Sequence, residues 1–182
     1  QERDFHMKFQ IIAPALAVSV CVASSTLHAD IVDSFQFGEG DSSSSILFQF
    51  TNGNQYLYEV SYSSDDFTGL DAIQLIADES EELLFEYSIT SYSFGDALTS
   101  VAIGDDGDSG FGSPPDYLDY WHYWVRDDAG SEWGFSSAGF SDRVLSDGSW
   151  DGWVFNSNDV PIPVTGTIFG LAGLSAYRRR RG

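Results

Sequence analysis

Residues 68–80 read TGLDAIQLIADES. Leu70, Ile73, Ile76 and Ala77 recur at three- and four-residue intervals, the spacing that gathers side chains on one face of a helix. Thr68 stands just ahead of the run, where its hydroxyl can accept a backbone N–H that the first turn leaves orphaned. On both sides the pattern changes to short β-rich runs. SILFQF (45–50) and YLYEVSY (56–62) flank TNGNQ, whose Asn-Gly pair is a strong hairpin signal. LLFEYSITSYSF (83–94), ALTSVAI (97–103), YLDYWHYWV (117–125), EWGFSS (132–137) and GWVF (152–155) are further strand candidates. One helix among several strands predicts an α+β domain, a small mixed sheet carrying one main helix. GDDGDSGFGSPPD (104–116) reads as a long acidic Gly/Pro loop, mobile unless something binds it.

Charge is distributed unevenly. The 182 residues hold 28 acidic and 8 basic side chains. Four of the basic ones are Arg178, Arg179, Arg180 and Arg181, and Arg3 and Lys8 lie at the front. Between Asp30 and Tyr177 only Arg126 and Arg143 face 26 Asp and Glu, a net charge of −24. Such a surface repels nucleic acid and anionic lipid, whose phosphates need Lys and Arg. It resists compaction unless salt screens it, so a saline or cation-rich exterior suits it as well as ordinary solubility does. Aromatic residues make up 15% of the chain, enough for a core, so the acidity does not imply disorder. Cys21 is the only cysteine, which excludes intrachain disulfides and Cys-based zinc sites from the domain.

The two ends carry targeting patterns. Lys8 precedes an apolar run, Ile11 to Ala23, and a short polar stretch ends at Ala29. A basic start, a brief apolar core and a small residue at the cut describe a secretory signal peptide over 7–29. Leu27 is large for the third position before the cut, so cleavage after Ser24 is the alternative to cleavage after Ala29. Val20 disfavours a lipoprotein cut before Cys21. Residues 1–6, QERDFH, place Glu2 and Asp4 where a signal peptide is basic, and we read them as a start-site artefact before Met7.

At the other end, Val160-Pro161-Ile162-Pro163 breaks the chain from the domain, which spans 30–159. VTGTIFGLAGLSAY (164–177) follows, uncharged and rich in small residues, and then the arginine cluster. As a helix those residues would measure about 21 Å, short of a hydrocarbon core of about 30 Å. The arginines favour the cytoplasmic side. Residues 160–182 resemble the PEP-CTERM sorting signal of bacterial exported proteins: a Val-Pro-Glu-Pro-like motif, a short apolar helix and an Arg cluster, in that order. Ile162 departs from the usual glutamate. The resemblance implies passage through the Sec machinery, transient anchoring in the inner membrane, recognition by an exosortase at Val160, Pro161 and Pro163, and delivery to the cell surface or an extracellular polymer matrix such as a biofilm.

The domain carries a second likeness. FTGLDAIQLIADES, FGDALTSVAIG, the acidic stretch, YWHYWVRDDAGSEWGFSSAG and LSDGSWDGWVF follow one another over residues 66–155. The order is similar to the C-terminal domain of the cobalamin carriers intrinsic factor and transcobalamin and its bacterial relatives. It rests on Gly69 to Ala72, Val101 to Gly104, Tyr120 to Trp124 and Asp147 to Phe155. The likeness implies a β-grasp-like fold, here flanked by the signal helix and the C-terminal apolar helix. The carriers hold their ligand between this domain and a large helical domain that this chain lacks, so a corrinoid does not transfer with the fold.

Two groups of side chains in the domain are candidate sites. The aromatic group is Tyr117, Tyr120, Trp121, Tyr123, Trp124, Trp133, Trp150 and Trp153. Strand alternation turns Trp121 and Tyr123 to one face and Tyr120 and Trp124 to the other. One set packs under the helix. The other is left half-exposed, and the candidate ligand-binding rings, Trp121, Tyr123, Trp124, Trp133 and Trp153, would supply flat faces for a glycan or planar ligand if they are not simply core. The acidic group, Asp105, Asp106 and Asp108 beside Gly107 and Gly110, has the hard oxygens calcium uses. Its spacing does not complete D-x-[DN]-x-[DN]-G, and a solvated loop is the simpler reading. No cofactor is otherwise implied. His122 is the only histidine after the signal, no G-x-S-x-G elbow exists, and lysine is absent after Lys8. The sequence therefore predicts a non-catalytic binding or structural domain, with an aromatic-faced glycan or corrinoid binder as the alternative and a carboxylate hydrolase last.

Overall fold

The computed structural model describes residues 31–80 and 85–161. Helix α1 spans Gly69–Glu79, and Thr68 closes a full capping box with Asp71. Asp71 N donates to Thr68 Oγ1 at 3.2 Å, and Thr68 N donates to Asp71 Oδ2 at 2.8 Å. The helical spacing reappears as burial: Ala72, Ile73 and Ile76 are fully covered, and Leu70, Leu75 and Ala77 flank them half-buried.

Strands β1 (Ile31–Gly38), β2 (Ser42–Gln49) and β3 (Gln55–Tyr62) precede the helix. After it come β4 (Phe85–Tyr92), β5 (Gly95–Ile103), β6 (Asp106–Ser109), β7 (Trp121–Arg126), β8 (Gly134–Phe135) and β9 (Trp150–Phe155). The fold is thus mixed and sheet-rich with one helix, as the sequence pattern predicts. Six strands form one sheet in the order β1-β3-β2-β9-β7-β8, in which β1 runs parallel to β3 and β2 parallel to β9. The remaining pairs, β2–β3, β7–β9 and β7–β8, are antiparallel.

Two expectations need correction. There is a second, three-stranded antiparallel sheet, β4-β5-β6, so the domain is not built on one small sheet. In addition, residues 106–109 of the acidic stretch are a strand and not a free loop. Ile103 pairs with Asp106, leaving only Gly104 and Asp105 to turn, and Gly104 takes φ +59°, which this tight reversal asks of its first residue.

The core lies between one face of the large sheet and a second layer made by α1 and the small sheet. Ile46, Phe48, Tyr58 and Val60 come from the hairpin and Trp121, Trp153 and Phe155 from the centre of the large sheet. Ile73 and Ile76 meet them from the helix, and Leu98, Val101 and Ile103 from β5. The signal segment with Ala29, Leu83 and Leu84 of the β4 candidate, and the tail from Ile162 through Pro163 to Arg178, Arg179, Arg180 and Arg181 lie outside the described residues. Among the described residues no helix is long and apolar enough to cross a membrane.

The cap gives a direct test. Thr68→Ala removes the hydroxyl that receives Asp71 N and is expected to lower unfolding free energy by about 1 kcal/mol, read from the urea midpoint. Thr68→Ser should restore most of it.

Candidate functional site

The aromatic strand β7 is covered on both faces. Trp121 and Tyr123 join the core with Trp153, Tyr123 stacking on Trp153 at 4.3 Å between centroids. On the reverse face Trp124 is buried, with the Phe135 ring stacked over it at 3.8 Å. The half-exposed face expected of this strand is therefore absent: β8 folds back and places Phe135 there. Trp133 packs edge-on against Trp150, and the Arg126 guanidinium lies 4.5 and 4.2 Å from their two ring centroids. Burial lowers the Arg126 pKa, and Nη1 donates to Ala129 O at 3.0 Å. Gly152 sits beneath this group. A Cβ there would stand 2.6 Å from Pro161 Cγ and 3.0 Å from the Trp133 ring, so the absence of a side chain lets both seat on the sheet.

One charged cluster is buried in the core. Asp151, on β9, is 1% exposed. Arg143 Nε donates to its Oδ1 at 2.9 Å, and the Tyr123 hydroxyl donates to its Oδ2. Burial pushes the Asp151 carboxyl up, while the Arg143 guanidinium and the Tyr123 hydroxyl pull it down. Burial and the neighbouring carboxylate drive the Tyr123 phenol far above its ordinary range. Burial works against the Arg143 cation, but Asp151 beside it holds its pKa above the ordinary value. All three groups are committed to one another, and the cluster acts as a structural lock.

One open feature, the one lined mainly by aromatic rings, is a cleft of about 340 Å³ where the two sheets meet. That volume lies near the lower end of the roughly 300–1,000 Å³ of small-ligand sites. Its inner wall is Leu98, Trp121, Tyr123, Phe140 and Trp153, and its mouth is Phe94, Phe111 and Phe135, exposed by 74, 42 and 62%. Tyr92, Phe94 and Phe111 form a ladder of rings. Tyr92 lies 5.1 Å from Phe94 and 4.6 Å from Phe111, with planes within 14° of parallel. The polar groups of the lining are few. Asp96 accepts from Ser91 Oγ and from Ser141 Oγ, and these bonds hold its carboxyl below the usual carboxylate value. Ser136 and His122 complete them. His122 is buried, its ring stacked on Tyr120 at 3.8 Å, and burial lowers its pKa, keeping it neutral at pH 7. His122 Nδ1 and Trp121 Nε1 are buried without a hydrogen-bond partner.

Trp121, Tyr123 and Trp153 of the predicted binding residues thus come together in the cleft wall, while Trp124 and Trp133 belong to the reverse face. The sequence reading missed Phe94, Phe111, Phe135 and Asp96.

The acidic group does not gather into a ligand set. Among the described residues no cluster of three or more His, Cys, Asp or Glu side chains is placed to hold a metal ion. Asp106 accepts from Asn52 Nδ2 at 2.7 Å, Asn54 Nδ2 at 2.8 Å and the Tyr56 hydroxyl at 2.6 Å. Asp108 accepts from Thr51 N at 2.8 Å, and Asp105 stands beside them on the turn. These carboxylates clamp the β2–β3 turn to the small sheet. Burial, followed by the Asp106 bond, pushes the Tyr56 phenol up to about 12.

Comparison with known proteins returns no relative: no family model matches the chain, and no curated protein matches it.

Two outcomes follow from the buried groups. Arg143→Met leaves the Asp151 carboxylate without its cation and is expected to destabilise the fold by about 3–5 kcal/mol in a denaturant titration. Burial of Asp106 tends to raise its pKa, but the bonds from Tyr56, Asn54 and Asn52 prevail and take it below 3.8. Its contribution is therefore complete above pH 3.8 and lost as pH falls through the lower folded value. The melting-temperature gap between wild type and Asp106→Asn should close on acidification below that point.

Proposed function

We propose that the chain is an exported, exosortase-sorted cell-surface or extracellular-matrix protein whose α+β domain is a non-catalytic binding module for sugar rings of a surrounding polymer. The observation that carries the binding half is the ladder of exposed rings at the cleft mouth. Large aromatic faces are seldom left in water without a partner, and the solvent-facing side of such a ring stack offers apolar aromatic surface on which the C–H face of a sugar packs.

The non-catalytic half is supported by how the reactive groups are used. His122 is buried and neutral, the Tyr123 hydroxyl is held by Asp151, and Asp96 is kept ionised by two serines. None of these has the raised carboxyl or poised imidazole that general acid–base chemistry at neutral pH requires, and Asp151, whose carboxyl pKa burial does raise, is 1% exposed and bonded on both oxygens.

The finer fold assignment belongs to the same reading. The inner strands lie β3-β2-β9-β7, an opening hairpin whose first strand runs parallel to the last, with the helix following the hairpin. That order supports a β-grasp-like domain of the kind the carrier resemblance implies. The export half rests on the two end patterns.

The test is expression in a bacterial host with and without an exosortase. With the enzyme, a form that has lost an epitope placed after Gly182 should appear outside the cell. Without it, the epitope should remain with the membrane fraction. An untruncated, water-soluble product in both hosts would overturn the sorting reading. For binding, tryptophan fluorescence and melting temperature of the full chain are followed with neutral and charged oligosaccharides, cobalamin and calcium. Response to no saccharide would overturn the glycan reading.

A further inference from the structure

We infer that the cleft selects amino sugars, whose protonated amine meets the aromatic mouth and Asp96, over neutral and acidic sugars. The inference rests on the glycan reading above and adds the sign of charge that the site accepts.

Three independent features point the same way. The rings of Phe94 and Phe111 are exposed at the mouth by 74 and 42% and nearly parallel, 11° apart, so they offer negative π surface at the cleft entrance. An ammonium within about 6 Å of such a face is attracted by it. Asp96 lines the same cleft as a carboxylate whose two serine partners favour the charged form, and it supplies the counter-ion.

The third feature is the arrangement of the arginines. The domain has only two, and both are turned inward. Arg143 is bonded to buried Asp151, and Arg126 lies between Trp133 and Trp150 on the reverse face. Among the described residues no cation lines the cleft wall to receive a uronate, sulfate or phosphate, while 26 acidic residues set the surrounding field.

The full chain is titrated by tryptophan fluorescence with glucosamine tetramer, its fully N-acetylated counterpart, a uronic-acid tetramer and choline, at low and physiological salt. The glucosamine tetramer should bind about tenfold more tightly than the acetylated one, and the uronate should not bind. Asp96→Asn should abolish that preference while leaving the acetylated tetramer bound. Phe111→Ala should lose both. Because Phe111→Ala keeps the net charge, glucosamine affinity that survives it would mark diffuse attraction to the acidic surface and overturn the inference. Both variants are checked by their melting temperatures, and Phe94→Ala replaces either one that fails to fold. Equal or tighter binding of the acetylated or acidic tetramer would overturn the charge selection and leave the glycan reading standing. Choline binding as tightly as the glucosamine tetramer would show a cation pocket without sugar recognition and overturn the inference. If no saccharide binds, the glycan reading itself falls.

Discussion

A single buried carboxylate ties the layers of this protein together. Asp151 sits on the core-facing side of the central strand β9, directly beneath the start of α1. Arg143 reaches it from the loop before β9, and Tyr123 from β7. The same loop satisfies the opening turn of the helix, since Gly69 N donates to Arg143 O at 3.0 Å and Leu70 N to Phe140 O at 3.1 Å. Gly69 explains how closely the parts approach: a Cβ there would stand 2.9 Å from Phe140 O and 3.1 Å from Asp151 Oδ2. A carboxylate taken out of water is stabilised only if it is paired and hydrogen-bonded on both oxygens, and here both partners come from different segments. Helix, loop and two strands must therefore assemble together. The ion pair adds little net stability compared with an apolar substitute, but it specifies where the helix lands.

The use of Arg143 in that lock, and of Arg126 between two tryptophans, has a consequence for the outside. Each arginine is consumed by the interior, so the surface keeps its acidic residues without local relief. Attraction within the core and repulsion around it follow from the same two side chains. Such an acidic surface on the domain is tolerable in salt, where charges separated by more than a Debye length of about 8 Å are screened.

The elements legible in the sequence are those fixed by neighbours. Helix α1 follows from the spacing of Ile73 and Ile76 and from a cap three residues from its partner; the β2–β3 turn follows from Asn52-Gly53. What depends on distant chain was hidden. β1 finds its partner in β3, and neither its sequence nor a turn announces a parallel pairing. Strand alternation assigned the two faces of β7 correctly, but alternation does not say whether a face is later covered, and Phe135 covers the Trp124 side. Asp106 was half of a calcium pattern until Asn52, Asn54 and Tyr56, about fifty residues earlier, took up its oxygens. The cleft was the least readable part. Phe94 ends a hairpin, Phe111 lies in a Gly/Pro segment and Phe135 sits on a two-residue strand, so no local period links them.

The exposed rings and the acidic shell also explain each other. An apolar patch on a neutral protein invites self-association, since two copies can bury their patches against one another. On this domain each copy carries 26 acids against two inward-turned arginines, and like charge opposes the approach of a second copy. The patch can therefore stay open. Repulsion that opposes a second acidic protein does not oppose a neutral or cationic partner with a flat face, which is the partner the proposed binding calls for. In the binding proposed above, partner choice would be set by two terms of different range: the field selecting sign from a distance, and the ring ladder selecting shape on contact.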